Sequence, residues 1–181
     1  VTKIAVLVSG GGTNLQALID AEKRGELGNG KISLVIASKP DVYALERAKN
    51  NGIEAIVLAR KEYADIAAYS KALADTLEQR GTDLVVLAGF LTIIDEQVYE
   101  AFPNRIINVH PALIPSFCGK GFYGHHVHEA VIAAKEPESG ITIHYVNEHY
   151  DEGNIIFQAK CSITPEDTAD SLAEKSHLFE K

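Results

Sequence analysis

The chain has 181 residues, 46% of them hydrophobic and 23% charged, with 17 Lys and Arg against 25 Asp and Glu for a formal charge of -8, and it contains neither Met nor Trp. That length folds around its own core without disulfides or a metal. The scattered positive charges disfavour a DNA- or RNA-binding role but leave room for one anion held by backbone N–H groups at a helix start. Cys118 and Cys161 form neither a CxxC pair nor a metal knuckle, which fits a reducing, cytoplasmic compartment.

In chain order, the apolar run at 4–8 reads as a first buried strand rather than a signal peptide, because its five residues lead straight into glycines. Residues 15–25 read as a helix, 32–37 as a strand and 43–52 as a helix stopped by Gly52. A short strand at 54–58 and a helix over 62–80 ending at Arg80-Gly81 follow. Next come a fully apolar strand at 84–88, a short helix near 95–101 and a strand at 106–109. A loop rich in glycine and aromatics then leads to a helix near 125–135. Strands at 141–147 and 154–161 suit an antiparallel pair, and a capped helix runs over 164–181. Alternating strands and helices, with strands apolar on both faces, predict an α/β fold: a mostly parallel, Rossmann-like sheet flanked by helices, with antiparallel strands added in the C-terminal part. No linker or repeat interrupts 1–181, so one domain is expected, and no apolar run is long enough to span a bilayer.

Ser9-Gly10-Gly11-Gly12-Thr13-Asn14 lies between a strand and a helix. Glycine permits a sharp turn and close approach to a ligand, and the helix start offers N–H groups to a phosphate. The alternative is a plain βα turn capped by Thr13 or Asn14. The loop lacks both the dinucleotide spacing and the Gly-Lys-Ser/Thr of a Walker loop. Ser38-Lys39 rather than an acidic residue closes the second strand, which disfavours a nicotinamide cofactor.

Parallel sheets place ligands at the carboxyl ends of their strands. Alternation within Ile107-Asn108-Val109-His110 puts Asn108 and His110 on one side of the chain, and Pro111 and Pro115 stiffen the exit. Asp151 lies in the loop between the last two strands. An amide N–H and an imidazolium N–H can hold negative charge growing on an acyl oxygen, and a carboxylate near the imidazole can help move a proton from an attacking amine. Singly, each has an ordinary alternative: Asn108 a loop cap, His110 a hydrogen-bonded strand-end histidine, Asp151 a turn former. His125, His126 and His128 lack metal-ligand spacing and any HExxH, so no metal is expected.

Several segments together resemble the folate-dependent phosphoribosylglycinamide formyltransferase family. They are VSGGGTNLQALI at 8–19, ISLVIASKP at 32–40, DLVVLAGFLTII at 83–94, RIINVHPALIPSFCGKGFYG at 105–124 and HYVNEHYDEGNIIFQ at 144–158. They occur in the family's order over nearly the whole chain. The NxHPxLxPxF run with a later Asp-containing loop marks the wider formyl transfer class, and SGxGTNL points within it to the glycinamide ribonucleotide enzymes.

The resemblance implies transfer of a formyl group from 10-formyltetrahydrofolate to the glycine amine of glycinamide ribonucleotide. It implies a single formyltransferase domain over 1–181, with a phosphate- and nucleotide-binding half at 1–100 and a catalytic and folate-binding half at 101–181. Asn108, His110 and Asp151 match the catalytic three. Gly11, Gly12, Thr13 and Asn14 would hold the substrate phosphate, and Glu180 would meet the substrate amine. The folate would lie against Phe90, Leu91, Thr92, Ile93 and Ile94, with His126 nearby. Asn147, Glu148, His149, Tyr150 and Glu152, around the catalytic aspartate, would complete its site. His144, on one face of an antiparallel strand, could close the folate or substrate side.

Relatives of this kind occur as monomers and homodimers, acting on small molecules away from nucleic acid and membrane. The family usually has proline where Cys118 stands. Its last helix continues with Glu-His and an apolar Tyr-Pro segment, whereas this sequence stops at Glu180-Lys181, so Glu180 is expected to be frayed. A formyltetrahydrofolate hydrolase would carry an extra regulatory domain and lack the SGxGTN loop, and aminoacyl-tRNA formylation would need a nucleic-acid-binding domain. A non-catalytic nucleotide-binding module would give Asn108, His110 and Asp151 no reason to meet.

Overall fold

A computed structural model describes residues 1–147 and 154–180, apart from the side chains of 177–180. The chain forms two compact units, the first Val1–Ile107 and the second beginning at Asn108. The first contains β1 (Thr2–Val8), α1 (Thr13–Lys23), β2 (Gly30–Ala37), α2 (Tyr43–Asn50), β3 (Glu54–Val57), α3 (Ile66–Gln79), β4 (Leu84–Leu87) and α4 (Glu96–Ala101). Its strands are all parallel in the order β3-β2-β1-β4. Val6, Val8, Val35 and Val86 pack with Leu15 and Ile19 of α1 and Ala44 and Ala48 of α2. The alternate residues Ala5, Leu7, Leu34 and Ile36 are equally buried, so both faces of the strands are covered.

Register makes the strand ends a platform. Val8 is level with Ala37, and Leu7 with Leu87. The chain therefore leaves β1 at Ser9, β2 at Ser38 and β4 at Ala88 side by side. The Ser38 N–H donates to Val8 O at 3.0 Å and the Ser9 N–H to Gly89 O at 3.2 Å.

The second unit contains the end of β5 (Ile106–His110), α5 (His125–Ala133), β6 (Glu138–Tyr145), β7 (Ile155–Ser162) and α6 (Ala169–Glu180). The order is β5-β6-β7, antiparallel throughout, as expected for the C-terminal part. Ala112, Val127, Val131, Cys161 and Leu172 form its core, with Phe117 and Phe122 against them.

Several boundaries differ from the sequence reading. α3 starts at Ile66 rather than residue 62 because Asp65 caps it, accepting from the Ala68 N–H at 2.7 Å, and Arg60–Glu62 is a separate 3-10 turn. α6 starts at Ala169 rather than residue 164 because Thr168 and Ser171 cap each other, N–H to hydroxyl, at 2.9 and 3.2 Å. β6 begins at Glu138, earlier than residue 141, because Gly140 fits flat against Lys160 of β7, where a Cβ would strike the Ala159 carbonyl. It ends at Tyr145, so Asn147 lies beyond the strand. Among the described residues no helix is long and apolar enough to cross a membrane.

Candidate active site

In the first unit the glycine loop is built against α2. Gly12 holds a left-handed φ of 75° at the cap position of α1, and a Cβ there would sit 2.7 Å from Ala44 Cβ. The cap position is Gly12, which has no side chain, and Thr13 and Asn14 lie inside the helix rather than at its cap. Gly10 and Gly11 differ from Gly12: a Cβ on either would meet nothing within 4 Å. Packing does not require glycine there, whereas close approach of a ligand to the loop backbone would.

Arg47 reaches over from α2. Its Nε donates to Gly11 O at 2.8 Å, and its guanidinium lies 4.7 Å above the ring of Tyr43. Ser9 and Ser38 share a hydrogen bond of 2.6 Å between their buried hydroxyls. Ser9 Oγ also accepts the Leu91 N–H at 2.9 Å, which ties the segment after β4 to the end of β1. In that segment Leu91 and Ile93 are 50% and 48% exposed, Phe90 and Thr92 are half-buried, and Ile94 turns into the core at 7%. The apolar lip is therefore Leu91 and Ile93. Ile94 presents its backbone, with its carbonyl taken by the Tyr99 hydroxyl at 3.1 Å.

In the second unit, Asn108 and His110 emerge at the end of β5, half-buried and buried respectively. His110 Nε2 donates to Phe117 O at 2.7 Å. The carbonyl can only accept, so Nε2 carries the proton. Phe117 supplies that carbonyl from a left-handed backbone, φ 53°, uncommon for a residue with a bulky side chain. Its ring meets Phe122 edge-on at 6.2 Å, which anchors the conformation in the core. Asn108 Nδ2 lies 3.3 Å from His144 Nε2, and His144 Nδ1 lies 3.0 Å from Tyr145 O.

The exit loop is pinned by one hydroxyl. Buried Thr142 Oγ1 donates to Ala112 O at 2.7 Å and accepts the Ile114 N–H at 3.1 Å. Gln158 Nε2 bonds both that hydroxyl, at 2.9 Å, and Ile114 O, at 3.0 Å. The Ile114–Pro115 peptide is cis, and Cys118 Sγ donates to Pro115 O at 3.1 Å.

His126 is exposed on α5, 3.4 Å from Glu129 and edge-on to Tyr123. Asn147 is half-buried beyond β6. Asp151, Glu148, His149, Tyr150 and Glu152 lie outside the described residues, as does the side chain of Glu180. Among the described residues no group of three or more His, Cys, Asp or Glu side chains could hold a metal ion.

A formyl transferase family model matches residues 2–181. The chain belongs to the phosphoribosylglycinamide formyltransferase family. It is 42% identical over 175 residues to the chloroplastic phosphoribosylglycinamide formyltransferase of Arabidopsis thaliana, covering 96% of this chain and 59% of that protein. It is 40% identical over 174 residues to the phosphoribosylglycinamide formyltransferase of Haemophilus influenzae, covering 96% of this chain and 79% of that one. The chain thus spans less than two thirds of the plant relative. Among solved structures, glycinamide ribonucleotide transformylase 1 from Symbiobacterium toebii superposes with a TM-score of 0.92 at 36% identity, over 99% of this chain and 82% of that one.

For this formyltransferase-family chain the sequence reading placed Ser9 and Ser38 at strand ends without their mutual hydrogen bond, and did not single out Arg47, Thr142 or Gln158. Ser9 and Ser38 had a signal: each is a small polar residue ending an otherwise apolar strand. Thr142 and Gln158 are polar residues within strands, but nothing in sequence tells which loop they hold.

Proposed function

We propose that this protein transfers the formyl group of 10-formyltetrahydrofolate to the glycine amine of glycinamide ribonucleotide, giving the formylated ribonucleotide and tetrahydrofolate. The observation that carries the reading is the end of β5, where Asn108 and His110 each have a fixed partner in the protein. The match of a formyl transferase family model over residues 2–181 supports it.

The residues present fit both substrates. The open backbone of Gly10 and Gly11 and the N–H groups at the start of α1, where the cap residue is a glycine, suit a phosphate. Gly12, Thr13 and Asn14 complete that cradle. The exposed Leu91 and Ile93 suit one face of a flat pteridine, and backbone groups of 90–94 suit its polar edge. When bound, the folate supplies the formyl group. Asn108 gives an amide N–H to the formyl oxygen as charge grows there. His110, held through its Nε2 hydrogen bond to Phe117 O, supplies an imidazolium N–H to the same developing charge. Asp151 favours the protonated imidazole and helps take the proton from the attacking amine. No serine or cysteine nucleophile takes part.

The test mixes protein with 10-formyltetrahydrofolate, with and without glycinamide ribonucleotide, and follows tetrahydrofolate release. Release that requires the ribonucleotide and is lost in Asp151→Asn supports transfer. Equal release without it would make the protein a hydrolase, and no release at all would contradict the proposal.

A further inference from the structure

We infer that His144 is a positioning residue that sets the direction of the Asn108 amide. The inference rests on the proposed role of Asn108 in holding the formyl oxygen. His144 lies on β6 and is 1% exposed. Its Nδ1 is 3.0 Å from its neighbour's carbonyl, Tyr145 O, which can only accept, so Nδ1 carries a proton. Its Nε2 is 3.3 Å from Asn108 Nδ2, which can only donate, so Nε2 offers its lone pair. The two bonds therefore determine each other: the Tyr145 carbonyl selects the tautomer, and that tautomer leaves an acceptor facing Asn108.

The consequence falls on Asn108. The last torsion of an asparagine side chain is broad and roughly two-fold, so an amide at a strand end can present oxygen or nitrogen to the same point. Reversing Asn108 would set its oxygen against the Nε2 lone pair, two acceptors face to face in a buried setting. His144 thus holds one amide proton and fixes the plane in which the second proton points. The second proton is the one the transfer reaction needs. A 3.3 Å separation is long for such a bond, and catalytic hydrogen bonds commonly tighten when substrate arrives.

The experiment uses the full chain and four variants: His144→Leu, His144→Gln, Asn108→Ala and His144→Leu with Asn108→Ala. For each, kcat, both KM values and the melting temperature are measured. His144→Leu lowers kcat by about 10–100-fold with little change in either KM, the range typical of a lost orienting partner. His144→Gln, whose Oε1 replaces the Nε2 lone pair, recovers most of that loss. In the Asn108→Ala background, His144→Leu lowers kcat by less than about two-fold, because residues acting as one unit are not additive.

Nitrogen-15 spectra of His144 supply a readout that a purely structural role would not move. They show the Nδ1–H tautomer in the wild type and a change at Nε2 on Asn108→Ala. Additive losses in the double variant, equal kcat in the Gln and Leu variants, or an Nε2 signal indifferent to Asn108 would each overturn the inference. An Asn108→Ala variant with full transfer activity would instead overturn the role of Asn108 itself. An impaired Asn108→Ala beside a normal His144→Leu would overturn the positioning role alone.

Discussion

The glycine loop contains two kinds of glycine, and substituting each separates folding from binding. Alanine at 12 must hold a φ of +75°, which costs about 1–2 kcal/mol for a residue with a Cβ. Its methyl carbon would lie 2.7 Å from Ala44 Cβ and 3.0 Å from Ala44 Cα. Ala44 is fully buried on α2, so relief requires moving a helix, and such overpacking costs about 1–3 kcal/mol more. The sum for Gly12→Ala is roughly 2–5 kcal/mol, against a typical total stability of about 5–15 kcal/mol. Gly11 has neither a positive φ nor a neighbour within 4 Å of a built Cβ. Gly11→Ala should be neutral or stabilising by about 0.4–1 kcal/mol through the unfolded chain. Its methyl, however, stands where a phosphate would approach, and KM for glycinamide ribonucleotide should rise on the order of tenfold, equivalent to about 1.4 kcal/mol. Urea unfolding followed by circular dichroism measures the first effect, and the tetrahydrofolate release assay the second. Gly12→Ala unfolding at the wild-type urea midpoint with an unchanged slope would refute the steric argument. An unchanged KM in Gly11→Ala would remove this loop from phosphate binding.

Three further outcomes follow from hydrogen bonds elsewhere in the two units. Ser9→Ala leaves the Leu91 N–H without its acceptor, costing about 1–3 kcal/mol, and should raise KM for the folate several-fold while leaving KM for the ribonucleotide near wild type. Thr142→Val keeps the shape but strands the Ile114 N–H; the same range of about 1–3 kcal/mol predicts a melting temperature lower by roughly 2–10 °C and a reduced kcat. Asp167 is held below its ordinary carboxylate value of 3.8 by hydrogen bonds from Lys175, the Thr164 N–H and Ser171. A depressed folded-state value stabilises above pH 3.8 and is lost as pH falls below it, so the melting temperature of Asp167→Asn should fall less steeply than wild type under acid. Equal acid slopes for the two proteins would contradict that assignment.

Much of the fold was legible in sequence because burial on both faces demands continuous apolar strands. IAVLV and LVVLA could be read as interior parallel strands from composition alone. The C-terminal strands were readable in number and direction but not in extent. Glu138 and Ser139 look like loop residues until β7 pairs with them. Helix starts failed where a polar segment contained more than one candidate cap: Asp65 and Thr168 act, while Thr164 forms a preceding turn with Asp167. Asn108 and His110 could be named as candidates from spacing and resemblance, because few residue types can donate to a developing oxyanion. Their hydrogen-bond partners could not.

By itself, the sequence determined an α/β chain with a glycine loop after its first strand and an Asn-x-His at the end of its fifth. Those features depend on neighbours along the chain: hydrophobic period, backbone freedom and residue type. Only the tertiary structure decided that Gly12 is required by Ala44, that Ser9 reaches Leu91, and that Phe117 and His144 are the hydrogen-bond partners of His110 and Asn108. These contacts join residues up to 82 positions apart or turn on a single backbone torsion. A hydrogen bond takes its direction from the placement of both partners in space, and a linear pattern specifies only one of them at a time.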